Sequence, residues 1–274
     1  MALATGALGV GFAKTAIGGV GSICVALYAA VLPAKYSTGL LLLLLLTGDL
    51  VAISIYRRDV AWKSLARLFL PVVAGVLVGA WFMDHINDAT LRITIAIVLL
   101  SMVALHIGSE VLARHRARPA TAGGPPEAAD PAEVPAATPG PAAPGETAAA
   151  QEASTRAGRL ALNLGYGSLA GFATMVANAG GAPMNLYLLA AKFSMLRFLG
   201  TAAWFFFFVN VFKLPFSIRL GLIDAQSWRL WAVLAPLVLI GAWAGRVLIK
   251  RLNQKLFNHL VIVFTAVPAI ALFF

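Results

Sequence analysis

Long apolar runs, each closed off by a short charged or polar stretch, set the rhythm of the chain. They fall at about 2–32, 37–56, 66–83, 91–112, 158–191, 196–217, 228–249 and 256–274. Runs of this length with few charges predict membrane-spanning helices, because a hydrocarbon core of ~30 Å takes roughly 20 residues at ~1.5 Å each. The first and fifth runs are too long for one span: as a single helix, the first would reach ~45 Å. Gly18, Gly19 and Gly21 crowd the middle of the first, and Gly180, Gly181 and Pro183 the middle of the fifth. A helix-interior glycine costs about 1 kcal/mol relative to alanine, so each cluster predicts a break between two half-helices. Such a break frees backbone polar groups at membrane depth, which is tolerable only where the turn is buried in protein or lines a wet cavity.

Between the fourth and fifth runs the composition changes. Residues 113–156 open with Arg114, Arg116 and Arg118 and continue as an Ala/Pro/Gly/Glu tract, which reads as a semi-extended cytoplasmic linker with no core of its own. It divides the chain into a transmembrane repeat at 1–112 and another at 157–274. The halves look duplicated. Gly11-Phe12-Ala13 matches Gly171-Phe172-Ala173, Asp49 and Asn210 follow at similar distances, and the Pro71, Gly75, Gly79 series resembles Pro236, Gly241, Gly245. Internal duplication is frequent in transporter folds.

Composition bounds the class. Of 274 residues, 60% are hydrophobic and 12% charged, against ~25% charged in a soluble domain. This excludes a soluble globule, a disordered chain and a disulfide scaffold and leaves an all-α polytopic membrane protein. The net charge of +10 belongs to the loops, as the positive-inside rule expects, and not to nucleic-acid binding. The single cysteine, Cys24, lies in an apolar run and allows no internal disulfide. The N-terminal run lacks a basic leader and carries Lys14 and the glycine cluster, so it is read as part of the mature fold.

The broken helices either cross the membrane or fold back as re-entrant hairpins. If both fold back, each half has three full spans and the halves are inverted. Cytoplasmic loops then hold Arg57, Arg58, Lys63, Arg67, Arg114, Arg116, Arg118, Arg156, Arg159, Lys192, Arg197, Lys250, Arg251 and Lys255. The outer loops hold Lys35, Arg92, Lys213, Arg219 and Arg229. Parallel halves give a less lopsided split, so inversion is slightly favoured.

The candidate chemistry gathers at the breaks. Lys14, about one turn before the first, is too deep for easy snorkelling and should face a cavity or an acid. Asp49 is its natural counter-charge, as an ion pair or a proton- or ion-coupling site; a helix-end position is the alternative. At the second break Asn178, beside Ala179, Gly180 and Gly181, offers an amide to an oxyanion, next to half-helix N-termini that carry partial positive charge. Gly19 and Gly21 do the same at the first break. Thr15 and Ser22 add hydroxyls, for which a helix-backbone hydrogen bond is an equal reading. Asn210 is a further cavity candidate, whereas Lys213 reads as an interface anchor and the Phe205–Phe208 run as lipid-facing or packing bulk. The histidines form no metal-ligand spacing, and no Walker A, GxSxG or HExxH motif occurs. No catalytic residues, metal or cofactor are expected.

Gly11-Phe12-x-Lys14-Thr15-x-Ile17-x-Gly19-x-Gly21, Pro33-Ala34, Ser37-Thr38-Gly39, Asp49 and Tyr56-Arg57-Arg58 resemble the first half of the sulfite exporter TauE/SafE family of bacterial membrane transporters. Gly171-Phe172-x-Thr174-Met175-Val176-Ala177-Asn178-Ala179-Gly180, Gly200-Thr201, Trp204-Phe205, Asn210 and Lys213-x-Pro215 resemble the second. The 113–156 tract is long where many relatives have a short loop. The resemblance implies a secondary transporter of sulfite, sulfonates or sulfoacetate, working by alternating access in the bacterial inner membrane with export preferred. A passive anion channel, or an uptake permease for another small anion, is the alternative. The implied partners are a small anion and the lipid bilayer, with no nucleic acid; coupling to protons or ions and a homo-oligomeric state stay open.

Overall fold

The structure is a computed structural model that describes residues 1–98, 101, 164–165, 167–191 and 193–270. The tract at 113–156 and the domain limits placed at 112 and 157 lie outside the described residues. Ten helices make up the described chain: α1 (Ala2–Thr15), α2 (Val20–Val31), α3 (Ala34–Tyr56), α4 (Trp62–Asp84), α5 (88–98), α6 (Gly167–Ala177), α7 (Gly181–Ala190), α8 (Met195–Arg219), α9 (Ala225–Ile249) and α10 (Gln254–Ile270). No strand occurs among the described residues. The helices α3, α4, α8 and α9 are each long and apolar enough to cross a membrane. Pro71, Pro215 and Pro236 lie inside three of them, which packed neighbours allow in a bilayer. Trp81, Trp243, Leu70 and Val233 point outward, as apolar side chains do when the surrounding solvent is lipid.

Both long opening runs are interrupted. The first breaks over residues 16–19 and resumes at Val20. This is slightly earlier than the Gly18–Gly21 expected, because Gly21 is absorbed into α2 once Gly21 N–H bonds back to Gly18 O at 3.1 Å. The second breaks at Asn178, whose φ of 52° places it in the left-handed region. Asparagine tolerates that region as a helix stop, and the Asn178 N–H donates to Thr174 O at 3.1 Å, the bond of an αL cap.

The half-helices α1 and α2 fold back on each other. Tyr28 Oη donates to Leu3 O at 2.8 Å. A Cβ on Gly6 would meet the Tyr28 ring, and one on Gly9 the Cys24 sulfur. The ends of this hairpin therefore lie together and its turn points inward. At the other break Asn178 reaches Thr38, near the start of α3. Seven residues later, Asn185 of α7 lies beside Gly18 at the turn of the first hairpin. The two helix breaks thus lie near each other, with α7 passing beside the turn of the first hairpin.

Glycines let α1 and α6 each dock on a full span of the other half. A Cβ at Gly11 would collide with Val238 O of α9, and one at Gly241 with Leu8 O of α1. On the opposite side, a Cβ at Gly171 would collide with Val72 O of α4, and one at Gly75 with Ser168 O just ahead of Gly171 in α6. Small residues permit this backbone-to-backbone approach where lipid supplies no hydrophobic drive between helices. Packed against α1, α8 and α9 runs α3, whose Leu40 to Leu44 are all buried.

Candidate functional site

The turns of the two hairpins meet beside α3 and α8 around a cavity of about 60 Å³. At about 10–15 Å³ per water, it has room for a few waters or one small ion. Its wall takes Ala13, Lys14, Gly18, Gly21 and Ser22 from the first hairpin, and Thr174, Asn178, Gly181 and Asn185 from the second. Leu45 comes from α3, and Phe198, Leu199, Ala202, Ala203, Phe206 and Asn210 from α8.

Lys14 sits in the last turn of α1, where a cation complements the negative helix end. Its Nζ lies 2.6 Å from Asp49 Oδ1 of α3 and 4.4 Å from the centre of the Phe206 ring. The carboxylate is fully buried, and its other oxygen accepts from Asn210 Nδ2 at 2.6 Å. Asp49 is thus the ion-pair partner of Lys14, set behind the wall, and not a helix-end residue facing solvent. Phe206, expected only as bulk, forms the floor under the Lys14 ammonium.

Lys213 overturns its reading as an interface anchor. It is 1% exposed; its Nζ donates to Thr174 O and, at 2.6 Å, to Asn178 Oδ1. It therefore caps the carbonyl end of α6 much as Lys14 serves the end of α1, and it drops out of the outer loops. No carboxylate stands within ion-pair distance of Lys213 among the described residues. The spacing of Asn210 and Lys213 held the missed signal, since residues three apart share a helix face. Asn178 completes this knot by donating from Nδ2 to Thr38 O at 3.0 Å.

The other expected residues divide. Gly21, Ser22 and Gly181 line the cavity, and a Cβ on Gly181 would meet nothing within 4 Å. Thr15 turns away: its hydroxyl lies 3.1 Å from Gly11 O and 2.8 Å from Ala242 O, the backbone alternative, while its own carbonyl accepts from Tyr56 Oη at 2.7 Å. Gly19 and Ala179 belong to the breaks without forming the wall, and Gly180 backs onto Thr174 and Ala170 O. Asn185 was missed altogether. It is a lone amide in an apolar stretch, and only the fold brings it to the first hairpin.

Two lysines, Lys213 buried and Lys14 partly so, stand at this place with one buried carboxylate. No group of three or more His, Cys, Asp or Glu suited to a metal occurs among the described residues. The family model for sulfite exporter TauE/SafE matches residues 3–272, so the chain belongs to that family, whose members are membrane transporters of sulfur anions such as sulfite. No curated protein and no solved structure matches the chain.

Proposed function

We propose that this member of the TauE/SafE family is a secondary transporter of sulfite or a closely similar sulfur oxyanion, exporting it across the bacterial inner membrane. One observation carries the reading: both helix breaks border one ion-sized cavity, with Lys14 on its wall, Asp49 paired behind it, and Lys213 bonded to the wall residues Thr174 and Asn178. The first backbone N–H groups of a helix have no intrahelical acceptor, so the start of α7 adds positive polarity beside Lys14. Glycine at 18, 21 and 181 lets an ion approach the backbone.

The way the broken elements are held supports alternating access. Each docks through glycines on a span of the opposite half, and corresponding pairs (Leu8 with Gly241, Ser168 with Gly75) make corresponding contacts. This supports two duplicated halves of inverted orientation that rock about the cavity. An inside-negative potential favours anion exit, since one charge moved through 100 mV is worth about 2.3 kcal/mol.

Sulfite flux in proteoliposomes tests the proposal. The expected result is saturable flux with counterflow, and its loss in Lys14→Ala while the variant stays folded. Flux that never saturates and lacks counterflow points to a passive channel; full activity of Lys14→Ala removes that residue from the site.

A further inference from the structure

Three amide side chains reach the cavity, and the protein uses two of them itself. Asn178 is held between Lys213 and Thr38 O, and Asn210 is committed to Asp49. Asn185 is different. It is 1% exposed, it lines the cavity, and its Nδ2 has no hydrogen-bond partner among the described residues. Buried donors in folded proteins are nearly always paired, and an unpaired one calls for an explanation. Building on the transport reading above, we infer that Asn185 is the substrate-reading residue of this site, its amide N–H₂ donating to an oxygen of the bound sulfur oxyanion.

The placement supports this on three sides. Asn185 lies four residues after Gly181, and residues so spaced share a helix face. The side chain leans back over the helix start, so the amide and the open space at Gly181 border the same part of the cavity. Across from it stands Gly18, where a Cβ would sit 3.0 Å from Asn185 Oδ1; glycine at the first break is what leaves the amide room. Lys14, on the first hairpin's part of the wall, is already engaged by Asp49 at 2.6 Å, so its ammonium is shared between that carboxylate and the anion. A neutral amide beside a paired lysine can hold an anion firmly enough to select it and loosely enough to release it. The small cavity and its free amide donor fit an inorganic oxyanion such as sulfite better than an organosulfonate with a carbon chain.

The test uses the full chain in proteoliposomes, with sulfite as the probe. Asn185→Ala should raise the half-saturating sulfite concentration on the order of tenfold to a hundredfold, the loss of one hydrogen bond to a charged ligand, with a melting temperature near that of the unsubstituted protein. Asn185→Asp should abolish sulfite flux at neutral pH, because its carboxylate repels the anion. Gly181→Ala, which places a methyl group in open space, should raise the half-saturation as well and guards against a folding defect at Asn185. Unchanged half-saturation in both Asn185→Ala and Gly181→Ala overturns the assignment and leaves the transport reading standing. An unsubstituted protein that neither binds nor moves sulfite overturns both.

Discussion

The Lys14–Asp49 pair shows how little a buried charge contributes by itself and how much its loss can cost. Removing one partner of a buried pair leaves an uncompensated charge, worth about 3–5 kcal/mol, whereas replacing both with apolar groups is often neutral. Asp49→Leu should therefore destabilise the protein by about that amount. Lys14→Met combined with Asp49→Leu should recover most of the loss, read by thermal melting in detergent, yet remain inactive in sulfite flux. A double variant as unstable as Asp49→Leu would mean that Asp49 is held chiefly by Asn210 and not by Lys14. This pair could be read in the sequence because charges inside apolar runs are conspicuous. Lys213 misled because its distance from the helix end looked short; its carbonyl and amide partners lie on a segment distant in sequence. Asn185 gave no signal, since an uncharged amide among leucines is also the signature of interhelical glue.

Elements were legible wherever the local chain decides them. Glycine clusters stop helices by their own propensity, and the Asn178 break needs only an αL residue. What the sequence did not reveal was which helix each glycine accommodates, because Gly11 and Gly241 meet only after the whole chain has folded. The symmetric docking yields a prediction: Gly75→Val and Gly241→Val should both destabilise, by about 1–3 kcal/mol or more for overpacking against backbone, whereas Gly181→Ala should melt within a few degrees of the parent. A second prediction concerns the start of α9. The exposed Asp224 accepts from Ser227 N–H at 2.7 Å and Ser227 Oγ at 2.8 Å, and these bonds hold its carboxyl below the usual carboxylate range. A group whose folded pKa is lowered stabilises fully above its unfolded value and loses that contribution as pH falls through the folded one. The melting difference between the parent and Asp224→Ala should be largest near neutrality and shrink on acidification below the ordinary aspartate pKa of about 3.9. A difference that is flat with pH would assign the stabilisation to the Ser227 side chain alone.

At the scale of the whole molecule, orientation in the membrane follows from the hairpins and the loop charges. With α1 and α2 folded back, Met1 and Leu32 lie at one end of the bundle and Tyr56 at the other, and the inverted reading puts the start of α8 on the side of Tyr56. Arg57, Arg58, Lys63 and Arg67 lie at that end, together with Lys250, Arg251 and Lys255. Once Lys213 is withdrawn into the site, the opposite end keeps only Lys35, Arg92, Arg219 and Arg229 of the cations counted there from sequence, so the positive-inside bias sharpens. Cysteines introduced one at a time at Lys35 and Ser194, in a Cys24→Ala background, should therefore label from opposite faces, Ser194→Cys from the cytoplasm and Lys35→Cys from outside. Labelling of both from one face would make the halves parallel. That result would remove the symmetry on which alternating access rests while leaving the positively polarised cavity intact, and a gated anion channel would become the better account of the same site.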